Sequence, residues 1–535
     1  MKKLIIKASF LLIAITTVVG CKKELDEKFN NPEKVLDPSL TGLFTGMLNN
    51  DRLAAKYWNV RTFLTQMPGV YAQTNYIANG NTIYQQSDSY SQQYWDDFYS
   101  TGGNGSGVMA QYRTMETKYN TLSATDQASQ KVIMQAAKVV LLEQAAKMVD
   151  LWGDIPFSAA GSLNTTNTIS NPKYDEQKAL YTSFISDLDA LGTYFNTNTT
   201  SAAFSKADIL LKGNMNLWAR YANSLRLRLL MRISKTDEAT ARPAILAMLA
   251  NQTTYPLVDG GNNGTYNPGT SDILLQALTN SSSDLRDAFF EGSWYATDYA
   301  LNTVMLPAND PRIDVIYDKF GRTVKINNKD VFVPNATYKA MPITFTTADQ
   351  ESKFPDYSVL DSATFLFNQK LPGILITASE VNFIKAEAFE RWGSSTDAKT
   401  AYDNALRQSV SFYHYLNNLN QGGGFKNVTA PNASVVDAWV NASTATYTGS
   451  STAKLAQIYT QKWLHYGVLQ STEAWSEYRR TGVPALTFPT TGKLSGFDTP
   501  PTRLIYPAKE KTLNSENYQA VASKDTRKTK IFWMP

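Results

Sequence analysis

The clearest pattern in the chain is the three-and-four spacing of apolar residues that marks one face of an α-helix. Between Lys131 and Trp152 apolar side chains recur at this spacing, and further apolar residues widen the face. Gly153 and Pro156 follow directly as residues that end helices. The pattern predicts a long helix that is packed on several sides.

A second apolar stripe runs through residues 205–234 and predicts one long helix there. Ser205 and Asp208 have the spacing of a capping box at its start. Four arginines lie off the stripe, which leaves solvent exposure and structural ion pairs both open: Arg220, Arg226, Arg228 and Arg232.

Two pairs of helices are predicted near the C-terminus. The first pair covers 379–392 and 398–412, and the second covers 455–463 and 471–480. Two helices joined by a short turn in about 34 residues indicate tetratricopeptide-like units. Segments 331–345 and 371–377 predict short strands. The predicted fold is therefore mainly α, with helix pairs, long loops and a few short strands.

Long polar stretches separate these helices, and one of them is unusually rich in aromatic residues. Residues 71–99 combine Tyr, Trp and Phe with many Asn and Gln side chains. Rings and planar amides together match the apolar faces and hydroxyl rims of sugars. We therefore predict that exposed rings bind ligand, with Trp95 and Tyr94 as the leading candidates, followed by Tyr71, Tyr76 and Trp294.

The N-terminus has the pattern of an exported protein. Residues 1–20 hold a basic start and an apolar stretch, and they predict a signal peptide. Cys21 follows Gly20 and is the only cysteine of the chain, so we predict that it carries a lipid anchor. Residues 21–38 are polar and predict a lipidated tether, and 39–535 remain as the folded part, for which length alone predicts two or three domains.

Charge and motif content exclude several classes of function. The chain has 51 basic and 47 acidic residues with no long block of either sign, which argues against nucleic acid as a partner. His414 and His465 have no metal-ligand spacing around them, so we predict structural roles, and we predict neither a metal nor a cofactor. The carboxylate pairs Glu473–Glu477 and Glu387–Glu390 fit ion pairs better than glycosidase chemistry, although only spatial positions decide this.

Several segments together resemble the SusD/RagB family of nutrient-binding outer-membrane lipoproteins of Bacteroidetes. They occur in family order along almost the whole chain, beginning at Cys21: WGDIPF at 152–157, LWARYANSLRLR at 217–228, NDPR at 309–312, SEVNFIKAEA at 379–388, EAWSEYRRTGVP at 473–484 and RLIYP at 503–507. No single one of these motifs is specific, but the set is.

The resemblance implies one large domain on four tetratricopeptide-like helix pairs, and a SusC-like TonB-dependent transporter as partner. It also implies a non-catalytic protein on the outer membrane that captures an oligosaccharide or a peptide. Two alternatives stay open from the residues alone. They are a surface glycoside hydrolase and a helical adaptor that binds only proteins.

Overall fold

The computed structural model describes residues 38–76, 83–101, 107–161, 171–260, 266–278, 284–419 and 427–535. The predicted signal peptide, Cys21 and the predicted tether up to residue 37 lie outside these residues. No helix in the described part of the chain is long and apolar enough to span a bilayer.

Helices make up most of the structure. The first half contains α1 (Leu40–Leu48), a first π-helix (Asn59–Leu64), α2 (Pro68–Tyr71), α3 (Asp88–Tyr99), α4 (Val108–Asn120), α5 (Ala124–Trp152), α6 (Gln177–Thr197), α7 (Ala202–Ala207), α8 (Met215–Ile233) and α9 (Glu238–Ala250). α5 contains the first predicted helix and ends at Gly153, whose φ of 80° is a conformation that glycine adopts without strain.

The second half mixes helices with short strands. In chain order it contains α10 (Pro268–Ser271), β1 (Ile273–Leu275), α11 (Leu285–Gly292), a second π-helix (Tyr299–Met305), α12 (Leu306–Ala308), α13 (Ile313–Ile316), β2 (Tyr317–Asp318), β3 (Gly321–Ile326), β4 (Lys329–Pro334), α14 (Thr347–Lys353), a 3₁₀ turn (Phe354–Asp356), β5 (Val359–Leu360), a third π-helix (Ser362–Leu366) and β6 (Gly373–Ile376). β6 falls in the predicted segment 371–377, whereas β4 overlaps only the first four residues of the predicted segment 331–345.

The remaining helices lie in the C-terminal part. They are α15 (Ala378–Trp392), α16 (Ser395–Leu419), α17 (Ala433–Ala442), α18 (Ser451–Tyr466), α19 (Ser471–Thr481), α20 (Ala508–Leu513) and α21 (Ser515–Tyr518), followed by a 3₁₀ turn (Ala522–Lys524). α15 with α16 and α18 with α19 are the two predicted pairs.

The helices pack as pairs. In the described residues α4 packs on α5, α6 on α8, α15 on α16 and α18 on α19, and α15 also packs on α18. One cluster of buried apolar side chains extends from Leu40 to Trp533 and connects them. The strands form two-stranded antiparallel sheets, β1 with β6, β2 with β5 and β3 with β4. The mainly α fold built on helix pairs is therefore confirmed.

The helix predicted over 205–234 is two helices, and the capping box predicted at its start is wrong. α7 begins after Ser201, and α8 begins after Asn214, whose side chain accepts the Leu217 N–H at 3.1 Å. Asp208 lies in the turn between them, where its carboxylate accepts two consecutive backbone N–H groups. A buried carboxylate that satisfies a turn replaces the predicted helix cap.

Buried ion pairs connect the helix pairs at the centre of the molecule. Arg228 and Arg232 of α8 are both buried and bond to acidic residues of α5, α15 and α19: Asp150, Glu380 and Glu473. Of the two interpretations that the sequence leaves open for these arginines, ion pairing is the correct one.

Candidate functional site

The two leading ligand candidates from the sequence lie inside the protein. Tyr94 is 6% exposed and stacks on Phe63 with ring centroids 3.6 Å apart. Trp95 is 2% exposed and packs edge-on against Trp152. The predicted exposure of both rings is wrong because residues 88–99 form α3 rather than an irregular loop. Ser87 caps this helix, and its apolar face turns both rings towards the core.

Tyr71 and Tyr76 are also buried, so their predicted exposure is wrong as well. Tyr71 packs against Trp475 with centroids 5.0 Å apart, and burial raises its pKa. Tyr76 donates a hydrogen bond from Oη to the Pro342 carbonyl at 3.1 Å. In this conformation neither ring can stack on a ligand at the surface.

Trp294 is the one of the five candidates that reaches the surface in part. Its backbone is held firmly, since its carbonyl accepts the Leu360 N–H at 2.7 Å and the next residue bridges to Val359. Phe290 contacts its ring from one side with centroids 4.7 Å apart, and Phe320 contacts it from another at 5.1 Å. A rigid backbone thus presents Trp294 within a group of rings.

Two rings of this group, Phe290 and Phe332, are more exposed than the half-buried Trp294. Phe290, at the end of α11, is 41% exposed. Phe332, on β4, is 53% exposed and lies 6.1 Å from Phe320 between centroids. The turn between β3 and β4 is formed by Asn327 and Asn328, both with positive φ, as a tight hairpin turn requires.

A second group of aromatic residues adjoins this one across α11. Trp58 is 45% exposed and meets the ring of Tyr57 edge-on, 5.0 Å between centroids. Tyr57 Oη donates to Glu291 Oε2 at 2.5 Å, and Arg61 Nε donates to the same oxygen at 3.2 Å. The bond to Glu291 raises the pKa of Tyr57. Glu291 directly follows Phe290, so each group includes a residue of α11, which packs on the first π-helix.

We call this region the aromatic surface and define it by six rings: Tyr57, Trp58, Phe290, Trp294, Phe320 and Phe332. Glu291 and Arg61 lie within it as partly exposed hydrogen-bonding groups. Large apolar rings with a few fixed polar groups are typical of sites that bind uncharged, hydroxylated ligands. Trp58 lies ahead of the aromatic-rich stretch 71–99, and the sequence offers no signal that separates it from the buried rings nearby.

Three of the four carboxylates considered for glycosidase chemistry, Glu473, Glu477 and Glu387, are bound to cations, and Glu390 accepts from the hydroxyl groups of Ser395 and Tyr447. Glu473 accepts from Arg232 Nη2 at 2.6 Å. Burial favours its neutral form, but Arg228 and Arg232 outweigh burial and lower its pKa to about 2. Glu387 accepts two hydrogen bonds from Arg480. A general acid needs a raised pKa, so these groups suit structure rather than proton transfer.

Both histidines have structural hydrogen bonds. His465 lies between Ser409 Oγ, at 2.9 Å from Nδ1, and Thr377 Oγ1, at 2.7 Å from Nε2. Burial lowers its pKa to about 3. His414 Nε2 lies 3.1 Å from the Pro311 carbonyl. Among the described residues, no three His, Cys, Asp or Glu side chains are grouped to hold a metal ion.

Comparison with known proteins places the chain in a family. Residues 28–507 match a family model named SusD-like and described as starch-binding and associating with the outer membrane. The chain belongs to this family. A search of curated protein sequences gave no significant match.

Solved structures of SusD-like proteins share the fold. A SusD-like protein from Bacteroidetes is 21% identical, with a TM-score of 0.71 over 93% of this chain and 100% of that one. A SusD homologue from Bacteroides uniformis is 20% identical, with a TM-score of 0.68 over 93% and 100%. A chitin-binding SusD homologue from Flavobacterium johnsoniae is 22% identical, with a TM-score of 0.65 over 92% and 98%. The resemblance noted in the sequence is confirmed.

Proposed function

We propose that this SusD-like protein is a non-catalytic lipoprotein of the outer membrane that captures an oligosaccharide and delivers it to a SusC-like TonB-dependent transporter. The aromatic surface is the observation that carries the proposal. Trp58, Phe290 and Phe332 are exposed, the other three rings are half-buried, and hydrogen bonding to β5 fixes the backbone at Trp294. Family members described as starch-binding and chitin-binding support a glycan over a peptide.

The rival interpretation as a glycoside hydrolase has little support in the described residues. Catalysis would need two carboxyl groups facing one cleft, one of them with a raised pKa. Asp272 and Asp361 do have pKa values raised to about 7 by burial. However, Asp272 accepts from Tyr266 Oη and the Ala378 N–H, and Asp361 accepts from the Thr364 N–H, so both carboxylates hold the fold.

The interpretation as a protein-binding adaptor has one observation in its favour. The β3–β4 hairpin exposes a set of apolar side chains on the face opposite Phe332: Val324, Ile326, Val331 and Val333. Exposed apolar residues grouped in this way suit contact with another protein. We propose that the hairpin serves the transporter or another partner in addition to glycan capture, because its Val and Ile side chains offer no hydrogen-bonding group to a sugar.

We expect Trp58→Ala and Trp294→Ala each to weaken glycan binding about tenfold. An aromatic ring that stacks on a sugar contributes about 1–2 kcal/mol by analogy with aromatic pairs, and 1.4 kcal/mol is tenfold in affinity. Calorimetry of both variants against a panel of neutral oligosaccharides, in low and high salt, measures the effect. Binding of the wild type should not depend on salt, since uncharged sugars are not subject to screening.

Trp392→Ala provides the matched control for these variants. Trp392 is also a partly exposed tryptophan, at the end of α15, where it stacks with Arg391 outside the aromatic surface. If both site variants bind glycans as the control does, the aromatic surface is not the site. If peptides bind and glycans do not, the substrate class is wrong although family membership remains.

We expect Cys21→Ser to abolish lipid attachment and retention at the outer membrane. Two or three acyl chains anchor a protein stably, and the chain has no second cysteine to carry them. Detergent phase partitioning of whole-cell extracts measures the change. Recovery of the variant in the detergent phase, at the wild-type level, would show that the anchor is elsewhere.

A further inference from the structure

A cavity of about 60 Å³ lies beside the first π-helix and apart from the aromatic surface. Asn59 and Leu64 of this helix line the cavity, whereas Arg61 of the same helix bonds to Glu291 in the aromatic surface. We call it the Arg52 cavity. Its polar lining comes from the turn before the π-helix, from the π-helix itself, from α5 and from the segment where α19 begins. In chain order these residues are Arg52, Asn59, Lys147, Gln470, Thr472 and Glu473.

Two buried acceptors in this lining have no partner among the described residues. Gln470 is 5% exposed, and its Oε1 accepts no hydrogen bond. Asn59 Oδ1 is likewise unpartnered. A buried acceptor without a donor costs about 1–3 kcal/mol, so each one favours a molecule that brings hydroxyl groups into the cavity.

The charges of the lining are incompletely balanced. Glu473 is bonded to Arg232, and Lys147 Nζ lies 3.0 Å from Glu143 Oε1. Arg52, however, is 6% exposed and has no carboxylate within 4.0 Å among the described residues. Its guanidinium donates instead to neutral acceptors, to the Tyr94 carbonyl at 2.7 Å and to Gln144 Oε1 at 3.2 Å.

These acceptors leave part of the Arg52 guanidinium available. It has five N–H groups, and the neutral contacts of Arg52, which include a weak one to Met148 Sδ, use three nitrogens once each. Buried guanidinium groups are usually paired with an anion, because burying an uncompensated charge is costly. The cavity therefore provides a place for one negative charge beside two amide oxygens, of Gln470 and Asn59, that accept hydrogen bonds from hydroxyl groups.

The backbone holds this arrangement in place. A Cβ atom on Gly373 of β6 would lie 1.7 Å from the Leu53 carbonyl oxygen, so the turn that carries Arg52 packs directly on β6. Partly exposed residues, Ala54, Ala55 and Ile374, also contribute to the lining and connect the cavity to the surface. A single water needs about 10–15 Å³ of such space, so a cavity of about 60 Å³ has room for about four to six waters. A small molecule fits this space and a polymer chain does not.

We propose that the Arg52 cavity is a second binding site, for a small hydroxylated carboxylate of the sugar-acid class. The carboxylate pairs with Arg52, and hydroxyl groups of the same molecule donate to Gln470 Oε1 and Asn59 Oδ1. The inference does not depend on the proposed capture of oligosaccharides, because no residue of the aromatic surface lines the cavity.

The test is calorimetry of the chain from Lys22 to Pro535, which contains every described residue, with sodium glucuronate and with glucose. We expect the wild type to bind glucuronate at least about tenfold more tightly than glucose, since only the acid carries the charge. Gln470→Glu, which keeps the shape and an acceptor but adds a negative charge, should weaken glucuronate binding at least about tenfold. Arg52→Gln should do the same.

Arg113→Gln is the matched control. Arg113 is a partly buried arginine that, like Arg52, donates to backbone carbonyls, here of Ala160 and Phe157; it also pairs with Glu116, and it does not line the cavity. The Arg113→Gln variant should bind glucuronate as tightly as the wild type does. The proposal is overturned if glucuronate gives no heat up to about 10 mM, which leaves the cavity to water alone. It is also overturned if glucose binds equally well or if Gln470→Glu binds glucuronate like the wild type.

Discussion

Arg480→Met is expected to lower the free energy of unfolding by about 3–5 kcal/mol, because removal of one partner leaves buried charges uncompensated. Arg480 is fully buried. Its guanidinium donates to both oxygens of Glu387, at 2.7 and 2.6 Å, and to Glu477 Oε2 at 2.7 Å. Methionine fills much of the same volume, so the loss arises mainly from the charges that remain.

Chemical denaturation followed by far-UV circular dichroism measures this loss. The matched control is Arg322→Met, which removes an arginine from an ion pair with Asp356 in which both side chains are about half exposed. Exposed pairs contribute about 0–1 kcal/mol, so the control should unfold close to the wild type. Equal stability of the two variants would mean that the buried pairs do not hold the helices together.

The position of this ion network explains why a large effect is expected. α5, α8, α15, α18 and α19 each contribute a charged side chain, and Glu477 accepts from Lys462 Nζ as well as from Arg480. The helix pairs therefore share charges as well as apolar contacts. The sequence shows each acidic pair on its own helix, and Arg480 lies on the same helix as Glu477. The other cations lie on other helices: Arg232 and Lys462 for the pair Glu473–Glu477, and Arg480 for Glu387.

Local patterns predicted the helices whose apolar face is continuous and whose ends carry stop residues. The stripe of α5 followed by Gly153 is one case, and α19 followed by Gly482, with φ 72°, is another. The stripe across 205–234 predicted one helix instead of two, because the apolar residues of the turn between α7 and α8, Ile209 to Leu211, continue the helical spacing. Asp208, which breaks the helix, has the appearance of a capping residue in sequence.

The aromatic rings show the limit of composition as a guide to the site. Trp58 and Trp95 both lie among polar residues, yet Trp58 is exposed and Trp95 is buried. Burial of Trp95 depends on Trp152 and Tyr506, which approach it from distant parts of the chain. Such contacts leave no local signal, so the sequence indicated a site made of aromatic residues and missed most of the rings that form the aromatic surface.

The second large effect is expected from Trp218→Ala, which should lower the free energy of unfolding by about 3–5 kcal/mol. Trp218 of α8 is fully buried, and its ring stacks on Phe195 of α6 with centroids 5.6 Å apart. Phe44 of α1 and Phe204 of α7 contact other parts of the ring. Alanine would leave a cavity where four helices meet.

The ring also has a polar role, which a second variant isolates. Trp218 Nε1 donates to Asp208 Oδ2 at 2.8 Å, and the same oxygen accepts the Gly213 N–H. Trp218→Phe keeps most of the packing and loses this bond, so we expect a smaller loss of about 1–2 kcal/mol. Asn216→Ala, at an exposed position on the same helix, is the control and should change stability by no more than about 0.5 kcal/mol.

Denaturation of these variants ranks the two contributions of Trp218. If Trp218→Ala has the midpoint of the wild type, the ring does not hold α1, α6, α7 and α8 together. If Trp218→Phe loses as much as Trp218→Ala, the bond to Asp208 outweighs the packing. That result would identify the turn between α7 and α8, rather than the ring cluster, as the structure that fixes α8. Arg228 and Arg232 would then depend on Asp208 for their positions in the ion network.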